Sequence, residues 1–120
     1  MWIRSYDEVD PLEVYRLNLA AFRWGFDIAT ARRIRKEDPY ATDELALYAG
    51  EGKHLFAQVV PLRFSVRLTT GPENVGGLAA VCSFPQVWGK GYVRRLLQYV
   101  HNRFREQAVR ISTLTTSLNL

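Results

Sequence analysis

Two glycines and three cations lie together at a point where an apolar segment gives way to an amphipathic one. Gly89 and Gly91 flank Lys90, and Arg94 and Arg95 follow within one helical turn. A helix N-terminus presents free N–H groups and a partial positive charge, and glycine lets a ligand come close to them. Basic side chains add charge-assisted hydrogen bonds. The spacing therefore predicts an anion site between residues 89 and 94, with a phosphate group as the expected anion.

Two common phosphate motifs are excluded at this position. A P-loop needs Ser or Thr directly after Gly-Lys, and here Gly91 follows Lys90. A dinucleotide fingerprint needs a glycine where Arg94 stands. A Gly-x-Gly turn that binds nothing, beside a solvated basic helix face, remains the alternative interpretation.

The N-terminal third of the chain predicts one strand and two helices. Residues 2–6 form a short apolar strand. Asp10 is a capping residue and Pro11 suits the first helical position, a combination typical of a helix start. Thr30 is predicted to cap a second helix, which Pro39 ends. The apolar stripe expected to bury the first helix consists of Leu12, Tyr15, Leu19 and Phe22.

The middle of the chain predicts three strands. Residues 44–49 and 54–69 form a hairpin, and Pro61 requires an edge position or a bulge because proline cannot donate a ladder hydrogen bond. Residues 70–74 (TGPEN) are predicted to be a loop. Residues 75–83 (VGGLAAVCS) are apolar on both faces, which is typical of a central strand.

The C-terminal part predicts an amphipathic helix followed by a last strand over residues 109–115. A strand, a helix and a strand in succession indicate a right-handed parallel crossover. The element order is then β-α-α-β-β-β-α-β. The helix is expected to bury Val93, Leu96, Leu97, Val100 and Phe104, and the last strand to bury Val109, Ile111 and Leu114.

Composition sets the broad class of the protein. A length of 120 residues predicts a single domain over residues 1–120. The net charge of +4 favours anionic partners without choosing among them. No apolar run reaches the roughly 18 residues of a membrane span, and the N-terminus does not resemble a signal peptide. The single Cys82 excludes an internal disulfide and fits a reducing compartment. We therefore expect a cytoplasmic protein with no membrane contact.

The segment VGGLAAVCSFPQVWGKGYVRRLLQYVHNRFREQAVRISTLTTS, residues 75–117, resembles the core of the GCN5-related N-acetyltransferases (GNAT). In that family a central strand ends in an apolar–proline segment. A glycine-rich turn, a helix with paired leucines and a parallel strand follow. Pro85 and Leu96-Leu97 match this pattern. The segment looks most like the branch that includes the multi-acetylating aminoglycoside-modifying enzymes.

The resemblance implies an α/β (α+β) fold with a mixed, mostly antiparallel sheet flanked by helices. Family members usually continue with another helix, which commonly carries a tyrosine acid, and two more strands. This sequence stops at TTSLNL. Against the family pattern, three interpretations are open: a truncated or frameshifted reading frame, a divergent compact member, or a half-domain completed by a second copy. We expect residues 110–118 to present an open strand edge that joins a homodimer.

The resemblance also implies an acetyl-CoA-dependent N-acetyltransferase that transfers acetyl directly to a small-molecule or peptide amine, without a metal. The family's phosphate motif fits in two frames, Gln86-x-x-Gly89-x-Gly91 or Trp88-x-x-Gly91-x-Val93, and Pro85 with the paired leucines favours the second. One strand N–H would polarise the thioester carbonyl. The implied coenzyme residues are Val81, Cys82 and Ser83 for the pantetheine arm, and Gly89, Lys90, Gly91, Tyr92, Val93 and Arg94 for the pyrophosphate.

Catalytic residues are not assigned by the sequence. One of Asp27, Glu37 and Asp38 could serve as a base acting through water, but each is better interpreted as a solvated charge or a helix-end residue. His54 and His101 have no partner at ligand spacing, so no metal site is expected. Cys82, on an apolar strand, is expected to pack rather than to act as a nucleophile.

Two other functions remain as alternatives. A non-catalytic GNAT-like domain would bind CoA or a protein partner. Nucleic-acid binding would use the basic residues 31–36 and 93–95, but aromatic residues do not interleave with them as a stacking surface requires. Nucleic acid is therefore disfavoured.

Overall fold

The structure, a computed structural model, describes residues 1–23, 27–37 and 46–115. A five-stranded mixed sheet is flanked by helices, and the predicted element order is confirmed. Short 3-10 turns follow the first strand and precede the last helix. The elements are β1 (Trp2–Ser5), α1 (Pro11–Phe22), α2 (Ile28–Glu37), β2 (Leu47–Glu51), β3 (His54–Leu68), β4 (Gly71–Ser83), α3 (Tyr92–Glu106) and β5 (Ile111–Thr113).

The strands lie in the order β1-β2-β3-β4-β5. The first four pair antiparallel, and β5 runs parallel to β4 because α3 carries the chain back across the sheet. Two-residue turns join β2 to β3 at Gly52-Lys53 and β3 to β4 at Thr69-Thr70. The sheet thus contains the parallel crossover that the sequence predicts at its C-terminal end.

The predicted loop over residues 70–74 is wrong. Gly71 pairs with Leu68, and Pro72 pairs with Arg67, so the ladder continues up to the two-residue turn at Thr69-Thr70. Pro72 lies before the part of β4 that pairs with β5. One side of the strand therefore has no described neighbour there, and a missing N–H is tolerated. The Gly-Pro signal marks an edge segment of a long hairpin rather than a loop.

Pro61 lies where the sequence expects it. The pairing of β2 with β3 ends at Leu47 and Val59, so in the described chain β3 has a free edge on that side from Val60 onward. The β3–β4 register is also irregular between Gln58 and Val60. Both of the conditions that accommodate a proline, an edge and a bulge, are met within three residues.

Alternating side chains of the sheet form a core on each face. The α3-side core lies under α3, and the α1-side core lies under α1 and includes the Cys82 side chain. Adjacent residues of β2 enter opposite cores, as Leu47 and Tyr48 show. The α3-side core comprises Leu47, Ala49, Ala57, Val59, Leu78, Leu96, Val100, Phe104 and Val109; the α1-side core comprises Val14, Leu17, Ala46, Tyr48, Leu55 and Cys82.

Helix α1 begins as predicted but buries a different face. The Asp10 side chain accepts a hydrogen bond from the Leu12 N–H at 2.9 Å, and Pro11 is the first helical residue. The buried residues are Val14, Leu17 and Asn18. The predicted stripe faces outward: Leu12, Leu19 and Phe22 are all exposed. Apolar residues occur all around this helix, so periodicity alone does not select the face.

Two further local predictions are corrected. Helix α2 begins at Ile28, before Thr30, because the Asp27 carboxylate accepts the Thr30 N–H at 2.7 Å and acts as the cap. The last strand is shorter than the predicted 109–115 and spans Ile111–Thr113. Of its three predicted inward residues only Val109, which precedes the strand, is buried, whereas Ile111 and Leu114 are exposed. The α3 stripe is confirmed: Leu96, Val100 and Phe104 are buried, with Val93 and Leu97 packed beside them. Pro39 and Asp38 lie outside the described residues.

Candidate functional site

The glycine turn leads directly into α3. Gly91 is the residue before the helix, with φ of 86°, and Gly89 has φ of 78°; both are left-handed conformations that favour glycine. A Cβ atom at either position would meet nothing within 4 Å. Glycine is therefore required by the backbone angle and not by crowding. The space above the turn is open.

The first intrahelical hydrogen bond of α3 runs from the Arg95 N–H to the Gly91 carbonyl at 3.0 Å. The N–H groups of Tyr92, Val93 and Arg94 precede this bond and are the free donors of the helix start. The Lys90 N–H, in contrast, donates to the Val87 carbonyl at 3.1 Å. Of the predicted backbone donors, Lys90 is thus already used within the turn. Its side chain, like that of Arg94, is exposed.

Tyr92 anchors the start of α3 to the β2–β3 hairpin. Its ring packs on Phe56 at 5.1 Å between centroids. Burial, and after it the nearby Glu51 carboxylate, raises the pKa of Tyr92. A neutral Tyr92 side chain thereby fixes the helix end that carries the free N–H groups.

The second half of β4 has an open backbone edge. Pairing with β5 covers only Val75–Gly77, so among the described residues nothing pairs with the β5 side of β4 from Leu78 to Ser83. On its other side this segment is paired with β3. The predicted pantetheine residues Val81, Cys82 and Ser83 therefore lie on an edge that can accept a further extended chain. The edge leads into the glycine turn.

A bulge bends β4 just before these residues. Gln58 pairs with Cys82 and Val60 pairs with Ala79, so two residues of β4 stand opposite one of β3. Ala80, in the bulge, has φ of 49°. A residue other than glycine in this region costs about 1–3 kcal/mol. The sequence indicates only that small residues leave room there; it does not predict the bulge.

Two buried amides beside the bulge were missed by the sequence reasoning. Asn18 on α1 and Gln58 on β3 are 3% and 2% exposed. The Gln58 Nε2 group donates to the Ala80 carbonyl at 2.9 Å. Asn18 in an otherwise apolar helix segment is the one sequence feature that signals a buried polar contact.

Trp88 is mostly solvent-exposed, at 70%. Its indole Nε1–H donates to the Ser83 carbonyl at 3.3 Å. The ring thus spans from the glycine turn back to the end of β4. A carbonyl oxygen has two lone pairs, so Ser83 can still accept a second hydrogen bond.

Cys82 faces the α1-side core. Burial raises the pKa of its thiol from 9.0 to about 12, and the sulfur lies 3.7 Å from Gln58 Nε2. The thiolate is the nucleophilic form of cysteine. At neutral pH the thiol is protonated, so Cys82 contributes packing and its backbone, as the sequence indicates.

The Cys82 thiol should make the folded protein sensitive to alkali. Its folded pKa lies above that of the unfolded chain, so between pH 9 and about 12 only the unfolded state releases the proton. Stability from this burial is complete below pH 9 and decreases as pH rises toward 12. We expect the melting-temperature advantage of the wild type over Cys82→Ala, measured by circular dichroism, to shrink between pH 8 and pH 11. Parallel melting curves across this range would contradict the assigned burial.

A comparison with models of known protein families identifies the family of the chain. The profile of the acetyltransferase (GNAT) domain family matches residues 2–118. The chain belongs to the GNAT family. A comparison with curated proteins gave no match.

Solved GNAT structures have the same fold. A GCN5-related N-acetyltransferase from Kribbella flavida is 22% identical, with a TM-score of 0.74 over 98% of this chain. This chain spans 31% of that protein's length. A predicted acetyltransferase from Clostridium acetobutylicum, solved with acetyl-CoA, is 16% identical, with a TM-score of 0.66 over 98% of this chain and 80% of that one.

The resemblance to one GNAT branch is supported only distantly. An aminoglycoside acetyltransferase from an uncultured soil metagenomic sample, in complex with trehalose, has a TM-score of 0.69. It covers 98% of this chain and 77% of its own, but its identity is 9%. This likeness shows the shared fold, and the aminoglycoside branch itself is not shown.

Two of the candidate bases of this GNAT chain, Asp27 and Glu37, lie at the two ends of α2 and not on β4. Backbone and hydroxyl hydrogen bonds from Thr30 lower the pKa of Asp27 below 3.8, which makes it a weak base at neutral pH. Glu37 is exposed at the end of α2. His101 contacts the Ser112 hydroxyl at 3.3 Å. No described residue is assigned as the catalytic acid or base.

Three further observations concern metal binding, membrane spans and a cavity elsewhere in the fold. Within the described ranges no cluster of His, Cys, Asp and Glu could hold a metal ion. None of the described helices has the length and apolar character to cross a membrane. A cavity of about 230 Å³ lies under the C-terminal half of α3, against Leu47, Pro61, Val100 and Phe104. It is separate from the glycine turn at the other end of that helix.

Proposed function

We propose that this GNAT chain transfers the acetyl group of acetyl-CoA directly to a primary amine. The open β4 edge from Leu78 to Ser83 carries the proposal, because it ends at the glycine turn and the free N–H groups of α3. An extended pantetheine arm fits such an edge as a further strand would. A pyrophosphate fits the helix start. The family membership makes acetyl transfer the chemistry to test.

The proposed coenzyme contacts divide between strand and helix. The backbone of Val81, Cys82 and Ser83 pairs with the pantetheine arm, and one of these N–H groups polarises the thioester carbonyl. The N–H groups of Tyr92, Val93 and Arg94 hold the pyrophosphate, while Gly89 and Gly91 shape the turn. The Lys90 and Arg94 side chains add positive charge. Gly91 at the helix start supports the frame Trp88-x-x-Gly91-x-Val93.

Acetyl-CoA should raise the melting temperature of the purified protein. A ligand at 100 times its dissociation constant adds about 2.7 kcal/mol to the free energy of unfolding, which for a chain of this size is on the order of ten degrees. The measurement is differential scanning fluorimetry with acetyl-CoA, CoA and, as a matched polyphosphate control, ATP. A shift with both coenzymes and not with ATP is expected. Equal melting-temperature shifts with ATP would show that the site binds polyphosphates in general and is not specific for the coenzyme.

A non-catalytic CoA-binding or partner-binding module is the second candidate. No carboxylate lies on β4 between Val75 and Ser83, and Asp27 is a weak base. Release of free CoA thiol in the presence of lysine, spermidine or a peptide with a free N-terminal alanine separates the two candidates. Coenzyme binding without thiol release would favour the module. Pairing of the β5 edge into a homodimer and a cytoplasmic location stay predictions.

A further inference from the structure

The β4 bulge places a strained residue at the start of the proposed pantetheine edge. Ala80 has φ of 49° and is followed directly by Val81, Cys82 and Ser83. An alanine leaves the left-handed region unless the surrounding structure holds it there. In a bulge the extra residue is also left without its normal ladder partner. Some other group must therefore hold the Ala80 peptide.

Gln58 supplies that group. Its Nε2 amide donates to the Ala80 carbonyl at 2.9 Å from the paired strand β3. The same amide donates to Asn18 Oδ1 at 3.0 Å, and Gln58 Oε1 accepts from Asn18 Nδ2 at 2.9 Å. Asn18 Nδ2 also donates to the Val14 carbonyl at 2.8 Å. The two side chains thus form a reciprocal amide pair that joins α1, β3 and the bulge.

The orientation of both amides is fixed by their outer partners. The Ala80 and Val14 carbonyls can only accept, so each must face an NH2 group. Turning either amide over would place two acceptors against each other. Both side chains are almost fully buried, so water cannot replace a lost partner. The pair therefore has one arrangement, and that arrangement holds the Ala80 carbonyl.

The direction of the Ala80 carbonyl sets the direction of the peptide that follows. That peptide contains the Val81 N–H, the first donor of the open edge beyond the bulge. We propose that Gln58, oriented by Asn18, is a positioning residue that keeps Ala80 left-handed and so aims the backbone N–H of Val81 at the thioester of acetyl-CoA. The inference rests on the proposed function, because the thioester belongs to the coenzyme proposed above.

The test variant is Asn18→Leu/Gln58→Met. It replaces both amides by apolar side chains of similar size, so neither amide is left unpaired, and the loss of stability should come from the Ala80 carbonyl alone. The Ala80 carbonyl loses its donor. Gln58→Asn is the milder variant: it keeps the amide but is one methylene too short to reach both Asn18 and Ala80. Gln98→Met, on the exposed face of α3, is the matched control.

Two measurements are needed on each variant. The ¹³Cα and ¹³Cβ chemical shifts of Ala80 report its backbone conformation without any ligand. The CoA dissociation constant by calorimetry and kcat for thiol release from acetyl-CoA, with the amines named above, separate binding from chemistry. We expect the Ala80 shifts to move toward extended values. We also expect kcat to fall by up to about 100-fold, as displaced catalytic groups do, with the CoA dissociation constant changed less than about threefold.

Ala80→Gly provides the rescue. Glycine takes the left-handed conformation without strain, so adding Ala80→Gly to the Asn18→Leu/Gln58→Met variant should restore part of kcat. A purely structural role of the amides would lower the melting temperature and leave kcat unchanged at permissive temperature.

The outcomes distinguish this inference from the function on which it rests. Suppose that the wild type releases thiol. If both amide variants then keep the wild-type kcat, or keep the wild-type Ala80 chemical shifts, the positioning role alone is overturned. A wild-type protein that releases no thiol with any amine would overturn the proposed function and the catalytic role of Gln58 with it. Normal turnover by Gln98→Met, loss in the amide variants and recovery with Ala80→Gly would support the positioning role.

Discussion

Replacing Gly91 with aspartate is expected to weaken CoA binding by at least about fivefold relative to Gly91→Asn. The two side chains have the same shape, and both residue types tolerate the left-handed conformation that Gly91 adopts with φ of 86°. They differ in charge. A carboxylate about 4 Å from a phosphate oxygen is unfavourable by about 1 kcal/mol at the dielectric of water and by about 4 kcal/mol at that of a protein surface. This range corresponds to a change in affinity of about fivefold to thousandfold.

The Asp–Asn comparison also controls for folding. Both variants have the same backbone strain at residue 91, so a fall in melting temperature that they share measures that strain. The difference between their CoA affinities measures the repulsion between the carboxylate and the bound pyrophosphate. That difference should decrease when salt is raised from 0.05 to 0.5 M, because exposed charges are screened. Equal CoA affinities of Gly91→Asp and Gly91→Asn at low salt would show that the pyrophosphate does not bind at the start of α3.

Gly76→Ala is expected to lower the free energy of unfolding by about 1–3 kcal/mol, the usual effect of overpacking a core. A Cβ atom at Gly76 would lie 2.4 Å from Cε2 of Phe104, a ring that is 5% exposed. The ring is almost fully buried in the α3-side core, so moving it disturbs its core neighbours. For a chain of this size the change corresponds to a fall in melting temperature of roughly 4–12 °C.

The neighbouring glycine offers a matched control. A Cβ atom at Gly77 would lie 3.0 Å from Cε1 of Phe64, but this ring is 43% exposed and can move into solvent. Gly77→Ala should therefore cost less than Gly76→Ala. Combining Gly76→Ala with Phe104→Leu should recover stability relative to the sum of the single changes. Equal losses for the two glycine variants, or strict additivity with Phe104→Leu, would argue against the close approach.

Elements with one strong pattern were predictable from the sequence. Helix α3 has a single continuous apolar stripe, and β4 is apolar on both faces, so its burial follows from composition. The expected central position holds only for Val75–Gly77, which has a strand on each side. The α1 face was not predictable in the same way, because Leu12 and Leu19 are as apolar as Val14 and Leu17. Which pair is buried depends on how the helix meets β3 and β4, and that contact is tertiary.

The same distinction between local and tertiary signals applies to the candidate site. Gly89, Gly91 and the cations are local signals, since a helix start and a left-handed turn are properties of neighbouring residues. The Asn18–Gln58 pair joins residues 40 positions apart, and no local pattern links an amide on α1 to one on β3. The bulge at Ala80 is also a matter of register between strands. The sequence shows small residues there and not the extra residue in the ladder.

The extra residue in β4 has an evolutionary consequence. Leu78 and Val81 pack with the α3-side core, and Cys82 with the α1-side core. Because strand side chains alternate with a period of two, a chain lacking Ala80 would keep Leu78, Val81 and Cys82 on the same faces and could pair evenly with β3. Core packing therefore gives lineages no reason to retain this residue. Under the proposed function, its retention would come from selection on the shape of the backbone edge, and a relative that lacks it would keep the fold without the bent edge.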